Sequence, residues 1–191
     1  MSIYDSKAMT RRGALQRVRE LLLFVGFDTD REGVQETPER FLKYLEEFHQ
    51  PINTGDVLGT PFPANKTTGM VVQTRIPFRM ICEHHLLPAV GMASIGYIPQ
   101  DRVIGLSKLT RLVQSVGTEA PTLQEFAGDR IAKLLSNHLD TLDVSVVIKA
   151  QHSCMTVRGI NAPGVETITS SVHGKFRERP EVRQEFFNLL S

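Results

Sequence analysis

Both cysteines of the chain stand beside histidine, in Cys82-Glu83-His84-His85 and in His152-Ser153-Cys154. Two thiolates and an imidazole make a zinc-type donor set, and a catalytic zinc ordinarily takes three protein ligands and keeps one position open for water. Cys82, His85 and Cys154 supply that count. Cys82 and His85 are three residues apart, so one turn at the end of a strand brings sulfur and imidazole to a single ion, with Cys154 arriving from another strand. His84 and His152 are then left beside the metal, placed to move protons. The competing arrangement is a closed structural zinc with His84 or His152 as fourth ligand; full Cys-x-x-Cys pairs would favour it, and the sequence has none. A plainer role for His84 and His152 is hydrogen bonding that merely orients ligands. His49, His138 and His173 lie in segments without other site features and read as surface or packing residues. The pattern points to metal-assisted hydrolysis.

Periodicity indicates the elements that must position these groups. Leu15, Val18, Leu21, Leu22 and Val25 recur at helical spacing, which predicts an amphipathic packing helix over about residues 8 to 26. Thr37-Pro38 reads as a helix start with threonine as cap, followed by the apolar face of Phe41, Leu42, Leu45 and Phe48. Residues 50 to 69 are rich in proline and glycine. The expected organisation is an N-terminal helical extension over 1–50, a linker over 51–69 and a main domain over 70–191.

From Met70 the pattern turns to strand. Residues 70–82 and 92–98 are expected to pair as a hairpin. Helices follow near 107–116 and 123–139, the second with Leu123, Phe126, Ile131, Leu134, Leu135 and Leu139 on its apolar face. Strands are predicted again at 144–150 and 166–172, with a terminal helix over 180–190. Strand pair, helix pair, strand pair predicts an α+β fold with an antiparallel sheet rather than a doubly wound one.

Composition narrows the partners. With 191 residues, 41% of them hydrophobic, the chain can bury one ordinary core. A formal net charge of +1, without basic runs interleaved with aromatics, excludes the usual electrostatic footprint for nucleic acid. The N-terminal Met1-Ser2-Ile3-Tyr4-Asp5-Ser6-Lys7 has no apolar core, and no apolar run approaches a membrane span, so a soluble cytoplasmic protein is expected.

Cys82-Glu83-His84-His85-Leu86-Leu87-Pro88, Gly105-Leu106-Ser107-Lys108-Leu109, Gln124-Glu125 and His152-Ser153-Cys154-Met155 through Arg158-Gly159 resemble, in order and separation, the motifs of the GTP cyclohydrolase I family. Glu36-Thr37-Pro38 and Thr167-Ile168-Thr169-Ser170 add to the likeness, which runs from about residue 12 to the C-terminus. The resemblance implies a tunnelling fold (T-fold), an antiparallel sheet with two helices on one face. In the family, subunits join their sheets into a barrel, two pentamers stack into a homodecamer, and the active site lies between subunits. The implied reaction adds water at C8 of GTP, expels that carbon as formate and rearranges the ribose to give 7,8-dihydroneopterin triphosphate.

By the same resemblance, one Zn2+ per subunit is held by Cys82, His85 and Cys154, while His84 and His152 transfer protons. Glu125, with Gln124, reads the guanine edge, Ser107 lies near the ribose or phosphate, and Arg40, Lys108, Arg111 and Arg158 contact the triphosphate. Read without the family, Gln124-Glu125 is an ordinary solvated helix start, Ser107 an ordinary helix cap, and Lys108 and Arg111 a solvated helix face. The rival from another class is a nucleotide-binding assembly or regulatory protein with a structural zinc. A nitrile reductase of the same fold needs a nucleophilic cysteine, and both cysteines are assigned to metal. The chain departs from the family at Glu119-Ala120-Pro121-Thr122, where relatives carry an arginine-bearing stretch and Glu119 adds negative charge, and at Arg75, where relatives often carry an acidic residue.

Overall fold

The computed structural model describes residues 10–65 and 69–190, so the first two residues of the expected 8–26 helix and Lys66, Thr67 and Thr68 of the expected linker lie outside the described residues. The chain divides into two compact units, one ending at Glu47 and the other beginning at Phe48. In the first, α1 (Arg11–Phe24) is capped by the Thr10 hydroxyl, which accepts from Gly13 N–H. Two further helices follow, α2 (Glu32–Gln35) and α3 (Thr37–Glu47), and Arg11 pairs with Glu39 at 2.6 Å and with Glu46. The helical period of α1 is present: Leu15, Val18 and Leu22 are half-buried and the helix packs with α3, while Leu21 and Phe24, with Val25 at the C-cap, are more than half exposed. None of the residues of α1 is fully buried.

The second unit opens with α4 (Thr54–Leu58) and the two-residue β1 (Phe62–Pro63). The stretch read as a linker from its prolines and glycines therefore carries a helix, and Leu58 within it is fully buried. A buried leucine contributes about 1.5–3 kcal/mol of transfer free energy, enough to fix the segment against the core. Then come β2 (Val71–Ile81), β3 (Pro88–Tyr97), β4 (Arg102–Val103), α5 (Leu106–Glu119), α6 (Gln124–Leu139), β5 (Val144–His152), α7 (Ser153–Thr156), β6 (Thr167–Val172), α8 (Lys175–Glu178) and α9 (Pro180–Asn188). The short elements β1 and β4 pair with each other.

The main sheet is antiparallel in the order β2-β3-β5-β6. It is an α+β fold, as expected. One face carries α5 and α6: Phe78, Met80, Ile95, Val146 and Ile148 pack with Leu112, Val113, Ile131 and Leu135 in one core. Two glycines permit the close approach. A Cβ on Gly117 of α5 would stand 2.0 Å from the Arg79 carbonyl oxygen of β2, and one on Gly128 of α6 would stand 2.9 Å from Ser171 Oγ of β6. On the opposite face Val147 meets Phe176 and Phe186, so α8 and α9 cover part of the sheet that the two-helix expectation left bare.

Two local readings are corrected. Phe126, placed with the apolar residues of α6, is 60% exposed. Ser107 does not cap α5; Gly105 occupies the N-cap and Ser107 is the second helical residue. Arg75 lies at φ +56 where the β2–β3 register shifts between Gln73 and Ile76, so it marks a bulge in an edge strand.

Candidate metal and substrate site

Sheet register brings the two cysteine motifs together. Ile81 pairs with Pro88 and Ala89 pairs with His152, so the loop between β2 and β3 lies beside the end of β5. That loop is tightly closed: Cys82 N–H donates to the Leu87 carbonyl at 3.0 Å, and the Cys82 carbonyl accepts from Leu86 N–H at 2.9 Å. Leu86 takes φ +53 to complete the turn. On the other side α7 follows β5 without a break, and its single turn carries Cys154.

One ligand atom each from Cys82, His152 and Cys154 lies within 4.8 Å of the others. Cys82 is buried and Cys154 half-buried, and both are free thiols. Burial, followed by the neighbouring Cys82 sulfur, pushes the Cys154 thiol above its ordinary pKa. Two thiols gathered in this way favour a thiophilic divalent ion that takes their protons, and the donor set fits zinc. His84 and His85 line the same cleft from the β2–β3 loop, both exposed, with their rings perpendicular and 6.1 Å apart. The three grouped atoms thus include His152 and not His85.

The surroundings of His152 settle its tautomer. Gln124, at the first position of α6 and 1% exposed, donates from Nε2 to the Ile148 carbonyl at 3.1 Å, the Thr167 carbonyl at 3.0 Å and Thr169 Oγ1 at 3.1 Å. Two of these partners can only accept, so the amide nitrogen must face them and Oε1 must face His152. His152 Nε2 lies 2.7 Å from that oxygen and therefore donates to it, which places the lone pair of the neutral ring on Nδ1. Burial lowers the His152 pKa, and the Glu125 carboxylate opposes that shift, so the neutral ring is favoured. Gln124, expected at the substrate, instead spends both ends of its amide inside the protein.

The remaining predicted residues separate by position. Glu125 is exposed and lines the cleft with Thr122, Leu123 and Met155. The segment before it is tied to the metal strand: Thr122 N–H donates to the Ile81 carbonyl at 3.0 Å, and Glu83 N–H donates to the Thr122 carbonyl at 3.2 Å. Glu119, flagged as extra negative charge, is held by Arg130 through contacts of 2.6 and 3.0 Å, which neutralise it. Arg158 is exposed beyond α7 and its charge acts on Cys154. Arg40 is in the N-terminal unit, bonded to Glu36 at 3.0 Å and to the Gly33 carbonyl at 3.1 Å. Ser107, Lys108 and Arg111 occupy the N-terminal half of α5, outside the cleft lining. Lys108 precedes Glu119 by about 16 Å along the helix at about 1.5 Å per residue, so these cations sit at the far end from the loop that joins the cleft.

The cleft itself measures about 240 Å3, below the roughly 300–1,000 Å3 of pockets that enclose a small ligand. A hollow of about 570 Å3 lies between α5 and α6, but its lining, with Pro121, Phe126, Arg130 and Lys133, includes no thiol or imidazole. The chemistry is therefore concentrated in the smaller cleft.

Comparison with known proteins agrees with the motif reading. The sequence profile described as GTP cyclohydrolase I matches residues 14–191. The chain is 39% identical to the GTP cyclohydrolase 1 of Hydrogenobaculum sp. (strain Y04AAS1), over 92% of this chain and 95% of that one. It is 42% identical to the GTP cyclohydrolase 1 of Thermobifida fusca (strain YX), over 91% and 84%. It is 39% identical to that of Clostridium perfringens (strain 13 / Type A), over 90% and 92%. Among solved structures, the apo archaeosine synthase QueF-Like shows a partial likeness at 17% identity and a TM-score of 0.46, covering 56% of this chain and 94% of that one. A family match across nearly the whole length, with every cleft motif inside it, means that the chain belongs to the GTP cyclohydrolase I family.

Proposed function

We propose that this protein is a zinc-dependent GTP cyclohydrolase I, which hydrolyses GTP at C8, releases formate and forms 7,8-dihydroneopterin triphosphate. The observation that carries the reading is the meeting of Cys82, Cys154 and a histidine in one cleft inside a chain of this family. Cys82, His85 and Cys154 would hold the ion, one per subunit, with His85 supplied from the lining of the same cleft. When bound, zinc supplies the Lewis acidity that makes water nucleophilic near neutral pH.

The chain's own residues do the rest. His152, fixed by Gln124 with Nδ1 as its acceptor nitrogen, takes and returns a proton beside the metal ligands. His84, which lines the same cleft, protonates the departing nitrogen; breaking two carbon–nitrogen bonds in sequence makes a second donor useful. The Glu125 carboxylate accepts from the guanine N1 and exocyclic amino hydrogens. Adenine offers no hydrogen at N1 and would leave the carboxylate partly unpaired. Gln124 also lines the cleft, and its side chain braces His152. Ser107, Lys108, Arg111, Arg158 and Arg40 take the ribose and triphosphate, and arginine's planar fork suits phosphate oxygens.

The small cleft and the distance to the α5 cations support a site shared between subunits, in a homo-oligomer that we take to be a decamer. The open edges of β2 and β6 and the exposed Leu21, Phe24 and Val25 at the end of α1 are surfaces such an assembly would cover. No described helix is long and apolar enough to cross a membrane. A reducing cytoplasm suits thiol ligands.

Purified, zinc-loaded protein incubated with GTP is expected to release formate and, after oxidation, a fluorescent pterin. Binding of GTP without either product at any pH would refute the activity.

A further inference from the structure

We propose that Gly59 is a positioning residue for the triphosphate: its bare backbone is a notch that holds the Lys108 ammonium in place. This rests on the proposed placement of the triphosphate at Lys108. Gly59 ends α4 at φ +61 and ψ −158, a region open essentially to glycine alone. A methyl group there would stand 3.1 Å from Lys108 Nζ and 3.3 Å from Cε. At the other end of the side chain, a methyl group on Gly105 would stand 3.8 Å from Lys108 Cγ. The lysine stem is thus laid between two glycines, one before α5 and one after α4.

Its ammonium makes no ion pair or side-chain hydrogen bond among the described residues, and Arg111, three residues on and on the same side of the helix, makes none either. A lysine whose stem is packed and whose charge is unspent has lost rotamer freedom without gaining a partner. That arrangement is one of readiness for an anion. The notch is built by α4, and α4 is held by Leu58, fully buried in the core. The proline- and glycine-rich stretch before the sheet therefore serves as scaffold for a substrate cation.

A side chain at position 59 meets only the flexible tail of lysine, which must give by a few tenths of an ångström, so the ammonium is displaced and no longer held by the notch. Gly59→Ala is expected to raise KM for GTP and the inhibition constant of inorganic tripolyphosphate together, by about tenfold as for a displaced charge-assisted contact, with kcat within about twofold. Lys108→Ala is expected to give a similar loss, and adding Gly59→Ala to it no further loss, since the two changes remove one interaction. Strain at φ +61 is read separately as a fall in melting temperature and cannot produce that dependence on Lys108. Where Gly59→Ala fails to fold, Lys108→Arg decides: the forked head does not fit the notch, so the charge is kept and affinity for tripolyphosphate falls.

Unchanged tripolyphosphate inhibition in Gly59→Ala, the same added loss in the Lys108→Ala background, or full affinity in Lys108→Arg would overturn the role of Gly59. Unchanged inhibition in Lys108→Ala would overturn the triphosphate placement on which it rests, with GTP turnover still testing the activity by itself.

Discussion

The two ends of α5 differ in how complete they are. At its C-terminal end the chain finishes its own work: β2, β5, α6 and α7 converge, the thiols meet, and Gln124 has a partner for every polar atom of its amide. At its N-terminal end Lys108 and Arg111 present charge to nothing among the described residues. On the proposed reading, one sequence builds the metal cleft internally and leaves the cations that anchor substrate for a neighbouring copy. Catalytic geometry must be fixed before substrate arrives, whereas phosphate oxygens neutralise unpaired cations when they bind.

Substitutions at the complete end are expected to cost most. Cys154→Ala should lose the metal and at least about a thousandfold in turnover, because no other ligand replaces a thiolate. His85→Ala should also lose metal, whereas His152→Ala should keep it while losing turnover, as read by zinc content per chain. Metal loss in His152→Ala with retention in His85→Ala would instead make His152 the third ligand. Gln124→Ala should retain zinc and lower kcat by about 10- to 100-fold, the usual cost of removing a group that orients a site residue. Unchanged kcat would deprive the amide bond to His152 of any role.

At the incomplete end, Lys108→Ala combined with Arg111→Ala should act on KM more than on kcat, by about 10- to 100-fold, as expected for loss of two phosphate contacts. A smaller effect is expected at the last residue of α5. Glu119→Gln breaks an exposed pair with Arg130 and should change stability by less than about 1 kcal/mol, read as a shift of the thermal midpoint. A larger shift would show that the pair anchors the loop leading to Glu125.

Much of this contrast was legible in the chain itself. The β-branched and apolar richness of β2, β3 and β5 and the helical period of α5 and α6 are local signals, and they located the elements within a few residues. The cysteine-histidine pairs announced a cluster able to hold a metal, because few other uses put both rare residue types side by side twice. What stayed hidden depends on contacts distant in sequence. Gln124 reads as a solvated helix start until β5 and β6 surround its amide. Leu58 and Gly59 read as linker because the core that buries one and the lysine that lies against the other come from α5 and the sheet. Phe126 kept the helical period yet is exposed, since period alone does not say which apolar residue meets the sheet. The one available clue to Gly59 was its place after a short apolar turn, where a glycine in left-handed space commonly ends a helix.

The central claim is that the cleft of one copy works with the α5 cations of another, and subunit mixing tests it most directly. Chains carrying Cys82→Ala are co-assembled with chains carrying both Lys108→Ala and Arg111→Ala, each inactive alone at low GTP. If the two halves come from neighbouring copies, equal mixing should restore about a quarter of the sites, those that draw an intact half from each chain. Absence of any restored turnover in verified mixed assemblies would contradict the shared site.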